Sequence, residues 1–125
     1  MTLIPKKVSK AWENRKGPVI FTTVDKSSVP NAIYVTCVNK FDEETITIAD
    51  NYFDKTRSNI LSGSKGAILF MTNEDKAYQV KGTIEYHKKG DVFEDMKKWN
   101  PKQHPGHAVA ILKVEEVYSG AEKLL

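Results

Sequence analysis

The residues best suited to chemistry lie in the stretch "NYFDKTRSNI", Asn51 to Ile60. It follows "ETITIA", which alternates apolar and polar residues like a half-buried strand, and runs into "RSNILSG", a short helix ending at Gly63. A cation and a hydroxyl, Lys55 and Thr56, therefore stand where a strand hands over to a helix. The first N–H groups of a helix lack partners within it, and the helix dipole adds partial positive charge there. An ammonium and a hydroxyl complete an anion pocket, for which phosphate is the usual guest. A plainer reading stands beside it: Asp54 caps the helix, Lys55, Thr56 and Arg57 are a solvated first turn, and the Asp54 carboxylate repels a phosphate.

Other chemistry-bearing residues are sparser. "HPGH" holds His104 and His107, but no further ligands follow at a metal-binding spacing, so it reads as a loop. Cys37 is the one cysteine; no base accompanies it, and it reads as a half-buried strand residue with no disulfide. Asp42, Glu43 and Glu44 are adjacent carboxylates in a turn and read as solvated. Tyr34, Tyr52 and Phe53 are candidates for stacking on a ring or for the core.

The elements that must position these groups are mostly strands. "PVIFTTV", "VPNAIYVTCV", "TITIA", "AILFMT", "AYQVKGTIEYH" and "AVAILKVEEVYS" are separated by the turn signals "DKSS", "NKFDEE", "SGSKG" and "NEDK" or by short helices. Val8, Ala11 and Trp12 share a helical face between Pro5 and Gly17; Val92, Phe93, Met96 and Trp99 share another. Gly82, inside the fifth strand, implies a bulge or a close backbone approach. The links predict antiparallel pairing, and closure into a barrel would remove sheet edges. The expected fold is a six-stranded antiparallel split β-barrel of Greek-key type with two or three peripheral helices, forming one domain over residues 1–125.

A net charge of +3, from 19 basic and 16 acidic residues, is too small to argue for nucleic acid by itself. The lysines and aromatics interleaved in "KAYQVKGTIEYHKKGD" would suit a base-stacking barrel, a reading ranked well below the phosphate one. Lys6 and Lys7 precede no apolar leader, and the longest apolar runs, "AILFM" and "AVAIL", are far short of a membrane span. A cytoplasmic protein is expected, with neither membrane nor nucleic acid as partner.

Four stretches, in order, carry a resemblance: "VPNAIYVTCV", "ITIADNYFDKTRSNI", "YQVKGTIEYH" and "HPGHAVAILKVEEVYS". From about Trp12 onward the chain resembles the flavin-binding split-barrel family related to pyridoxamine 5'-phosphate oxidase, most of all its small single-domain FMN-binding proteins. The resemblance implies that Lys55 and Thr56 hold the FMN phosphate. It places Tyr34, Val35 and Thr36 along the flavin. Ile48, Ala49, Asp50 and Asn51 would offer backbone contacts to the ring's polar edge or the ribityl chain. Gln79 would reach the cofactor from the partner subunit of a homodimer with the flavin at its interface. The tail, with Leu124 and Leu125, would cover the ring across that dimer.

Two departures bear on function. Larger members often place an arginine just before the phosphate lysine, where this chain has Asp54. The arginine- and histidine-bearing C-terminal extension of true pyridoxamine phosphate oxidases has no counterpart, so vitamin B6 oxidation is not expected. The expected function is an FMN flavoprotein, an oxidoreductase or electron carrier working through the flavin N5, with no acid or base side chain singled out. The alternative keeps the fold and changes the ligand to a deazaflavin or to haem, with His87, His104 or His107 as axial ligand.

Overall fold

The computed structural model describes residues 3–125. Eight strands are present: β1 (Val19–Val24), β2 (Pro30–Val35), β3 (Val38–Lys40), β4 (Thr45–Asp50), β5 (Gly66–Met71), β6 (Ala77–His87), β7 (Ala108–Ser119) and β8 (Glu122–Lys123). Three helices accompany them: α1 (Lys6–Glu13), α2 (Lys55–Leu61) and α3 (Asp91–Trp99). The strands form one antiparallel sheet in the order β2-β1-β5-β6-β7-β4-β3, with β8 added beside β7. This is the split barrel expected, with two strands more than the six expected. The tail supplies β8, and "VPNAIYVTCV" breaks into β2 and β3. At the break the Val38 N–H donates to the Thr36 carbonyl (3.1 Å), a three-residue turn that needs neither glycine nor proline. α1 stops at Glu13, short of Gly17, because Arg15 pairs with Thr72 in a β-bridge.

β6 and β7 are the long strands and belong to both halves of the sheet. Their register shifts between Lys81 and Gly82, so β6 bends there. Both expectations for Gly82 hold: it sits at the bulge, and a Cβ on it would lie 2.7 Å from the Lys113 carbonyl carbon.

Registers define the faces. Ile33, Phe21, Ile68, Val80 and Val117 are successive cross-strand partners along β2, β1, β5, β6 and β7, and all pack into the main core. One residue along each strand, Tyr34, Ile20, Leu69, Gln79 and Tyr118 form the matching row on the other face. In that row Tyr34 and Leu69 are exposed and the rest only half-buried.

The second half of the sheet is buried on both sides. Ile46, Ile48, Ala110 and Leu112 face the main core, while Ala49, Val109 and Ile111 face Met96, Val92, Phe93 and Trp99 of α3. The helical face expected for α3 is the one it buries. β4 is therefore not the half-buried strand its alternation suggests. Thr47 is fully buried, and its hydroxyl donates to the Asn39 carbonyl at 3.1 Å. α1 adds Val8 and Trp12 to the main core, with Trp12 edge-on to Phe70 at 5.1 Å. No helix among the described residues is long and apolar enough to cross a membrane.

Candidate functional site

A cleft of about 280 Å³ opens at the break between β2 and β3. One wall is Ile33, Tyr34, Val35, Thr36 and Cys37; the other comes from the end of β4 and the loop after it, with Ala49, Asn51, Tyr52 and Phe53. His104 closes it from the loop before β7. The walls are held together where the Ala49 N–H donates to the Cys37 carbonyl at 3.0 Å. Cys37 thus lies in the turn and faces the cleft, rather than in a strand as its sequence setting suggests. Tyr34 and Tyr52 are 75% and 72% exposed, unusually high for large aromatics.

The expected site residues divide between the cleft and its surroundings. Tyr34, Val35, Thr36, Ala49 and Asn51 line it. Ile48 faces the core and is fully buried. Lys55 and Thr56 open α2 two residues beyond Phe53. Thr56 is only 2% exposed, and its hydroxyl accepts from Asn31 Nδ2 of β2 at 3.2 Å. Lys55 is exposed and forms no ion pair among the described residues. Asp54 precedes the helix without a side-chain capping bond, so the cap expected of it is not made. Gln79 lies away from the cleft of its own chain, in the row with Tyr34 on the uncovered face. Leu125 folds onto its own chain: it exchanges backbone hydrogen bonds with Val117 (3.2 and 3.3 Å) and packs, with Leu124, against the main core.

Asp50 is engaged through its carboxylate as well as its backbone. Its side chain is fully buried and accepts from Arg57 Nε (2.7 Å) and Nη2 (2.9 Å), Tyr86 Oη (2.5 Å) and the Phe53 N–H (3.1 Å). Burial pushes this carboxyl up, but the bonds from Arg57, Tyr86 and Phe53 outweigh it and hold the carboxyl below the usual range. The bond to Asp50, then that to Tyr86, makes the Arg57 guanidinium still harder to deprotonate. Arg57 is therefore committed to Asp50, and Lys55 is the cation left for an anion at the start of α2.

Asn51 is equally committed. Its amide and that of Asn100 exchange two hydrogen bonds (3.0 and 2.9 Å), and its Oδ1 also accepts from the Gly106 N–H at 2.9 Å. Both asparagines are buried. With the His107 N–H donating to the Asp50 carbonyl (2.9 Å), they clamp the 100–107 loop to the end of β4 and carry His104 to the cleft. The sequence reading leaves Asn100 unmarked, because nothing local links residues 49 positions apart. An Asn100→Ala variant is expected to lose about 1–3 kcal/mol, since the Asn51 amide is left buried without its partner. Urea denaturation against wild type measures it, and an unchanged midpoint would contradict the clamp.

An open antiparallel sheet curled over one core, with a cleft where its two ends meet, defines the class of split-barrel proteins. The chain belongs to the pyridoxamine 5'-phosphate oxidase family, whose model matches residues 5–120. It is 36% identical over 107 residues to an uncharacterised protein of Methanocaldococcus jannaschii, covering 81% of this chain and 71% of that one. It is similar to the crystal structure of HupZ from Group A Streptococcus (28% identity, TM-score 0.80, 94% of each chain). It shares its fold with an FMN-binding protein from Syntrophomonas wolfei (20% identity, TM-score 0.76, 90% of this chain and 83% of that one).

Proposed function

We propose that this chain binds FMN in the cleft and works as a flavin-dependent oxidoreductase or electron-transfer protein. The observation that carries the reading is the pairing of the cleft with a free cation. A slot lined by the apolar Ile33, Val35, Ala49 and Phe53 and by the polar Thr36, Asn51, Tyr52 and His104 suits a planar ring with a polar edge. Two residues beyond Phe53 of the slot, α2 opens with the exposed Lys55 and the buried Thr56, the residues that would meet the phosphate. Asn31 touches Thr56 from the strand that continues into the cleft wall, so phosphate and ring subsites lie along one strand. The FMN-binding relative with the same fold agrees with this reading. FMN would supply two- or one-electron transfer; the chain would supply binding, ring orientation and exclusion of water.

The same reading takes the protein as a cytoplasmic homodimer. Support for the dimer is the uncovered row of Tyr34, Ile20, Leu69, Gln79 and Tyr118, which no helix among the described residues screens. A two-fold contact through that face would bring Gln79 of one copy towards Tyr34 and the cleft of the other.

The test is a fluorescence titration of apoprotein with FMN and, separately, with riboflavin, which lacks the phosphate. Wild type is expected to bind FMN more tightly than riboflavin. Lys55→Ala is expected to weaken FMN by about 10–100-fold, the worth of one charge-assisted hydrogen bond of about 1.5–3 kcal/mol, and to leave riboflavin unchanged. Wild type that ignores both flavins would reject the proposal; equal loss for both ligands would reject the phosphate subsite.

A further inference from the structure

None of the residues lining the cleft is Lys, Arg, Asp or Glu. Among the described residues there, His104 is the one that can become a cation. It is also held before any ligand arrives. Tyr52 Oη and His104 Nδ1 are 3.1 Å apart, and the two rings stand edge to face with centroids 5.5 Å apart. Behind the histidine, Lys97 Nζ donates to the carbonyls of Pro105 (3.0 Å) and Gly106 (3.3 Å). Lys97 and Lys102 line a separate small hollow with His104. In its protonated form the ring donates Nδ1–H to the Tyr52 oxygen and keeps Nε2–H, the nitrogen not used by Tyr52, for a ligand.

The position of this pair along the cleft matters. Asn31 of β2 touches Thr56 at the phosphate end. Thr36 and Cys37 lie five and six residues further on, about 17–20 Å of extended chain. They share the cleft with His104 and Tyr52.

We propose that His104, held by Tyr52, faces the polar edge of the flavin ring and stabilises the negative charge that the ring acquires on reduction. This rests on the FMN reading above. Uptake of two electrons and one proton would turn the neutral oxidised ring into a reduced ring with one net negative charge. In a slot with no Lys, Arg, Asp or Glu in its lining, the countercharge available there is His104 once its ring carries a second proton. Such a contact strengthens with reduction, so it biases affinity toward the reduced form. Tyr52 acts through His104 and is a positioning residue.

The experiment measures FMN dissociation constants anaerobically for the oxidised form and for the form reduced with dithionite, together with the two-electron midpoint potential by dye equilibration. His104→Gln is expected to weaken reduced FMN about tenfold while oxidised FMN changes by less than about twofold, which lowers the midpoint by about 30 mV. His104→Lys supplies a cation at the same place and is expected to retain the wild-type preference for the reduced form. Tyr52→Phe is expected to move the potential in the same direction as His104→Gln by a smaller amount. Equal weakening of both oxidation states by His104→Gln would overturn the proposal, as would a lysine variant that behaves like the glutamine one. Wild type that binds no FMN would instead bring down the cofactor reading, and this inference with it.

Discussion

Gly82→Ala is expected to cost about 3–5 kcal/mol, a large part of the about 5–15 kcal/mol that holds a domain of this size together. The new methyl would collide with the backbone carbonyl of Lys113 on the neighbouring strand, not with a side chain that can rotate away. Gly82 stands at the bulge where β6 changes register against β7, so relief would require moving the longest strand pair in the sheet. Gly66 supplies the control. A Cβ there would meet Ile84 Cδ1 at 2.6 Å, the far end of a flexible side chain. Gly66→Ala is therefore expected to cost about 1–2 kcal/mol. Denaturant midpoints of the two variants decide the matter, and similar losses would show that backbone contact at the bulge is not what makes Gly82 necessary.

Arg57→Ala is expected to cost a comparable amount, about 3–5 kcal/mol, because it strands a buried carboxylate. Asp50 is fully buried, whereas the Arg57 side chain is 35% exposed. The asymmetry makes loss of the arginine worse than loss of the acid. In Asp50→Asn the guanidinium can turn to water, so that variant should cost about 1–3 kcal/mol. The pH dependence follows from the same contacts. The Asp50 carboxyl is held below its unfolded value of about 3.9, so its contribution is complete above that pH. It is lost as pH falls through the lower, folded value. Wild-type stability should rise from about pH 2 to about pH 5, with a flatter slope in Arg57→Ala, where burial is opposed only by Tyr86 and Phe53. Chemical denaturation at several pH values measures this; parallel profiles would show that Arg57 does not set the Asp50 titration.

The two cases show where sequence alone was sufficient and where it was not. Gly82 was legible because glycine inside a strand pattern has few physical uses, and both of them apply. The strands were legible from turn signals and apolar runs, and the start of α2 at Lys55 from the strand-to-helix handover. The break between β2 and β3 was hidden because its turn uses Thr36, Cys37 and Val38, none a turn marker. The burial of β4 on both faces was hidden because α3, which covers it, begins more than 40 residues later. The partners of Asp50, Asn51 and His104 were hidden for a related reason. Arg57, Tyr86, Asn100 and Tyr52 are polar residues in unremarkable settings, and only the fold brings their side chains together. Arg57 in particular sits two residues after Lys55 and reads as part of a solvated first turn until its commitment to Asp50 is seen.

The turn at Thr36–Cys37 has a mechanical consequence. β2 and β3 are the opposite edges of the sheet, separated laterally by five strands, yet only two residues of chain separate them. The sheet is therefore a nearly closed ring with a covalent latch at its gap. Opening or twisting of the sheet would concentrate strain at that latch, and a rigid body seated in the cleft would resist it from both edges at once. A ligand there would act as a keystone, stiffening strands that it never touches.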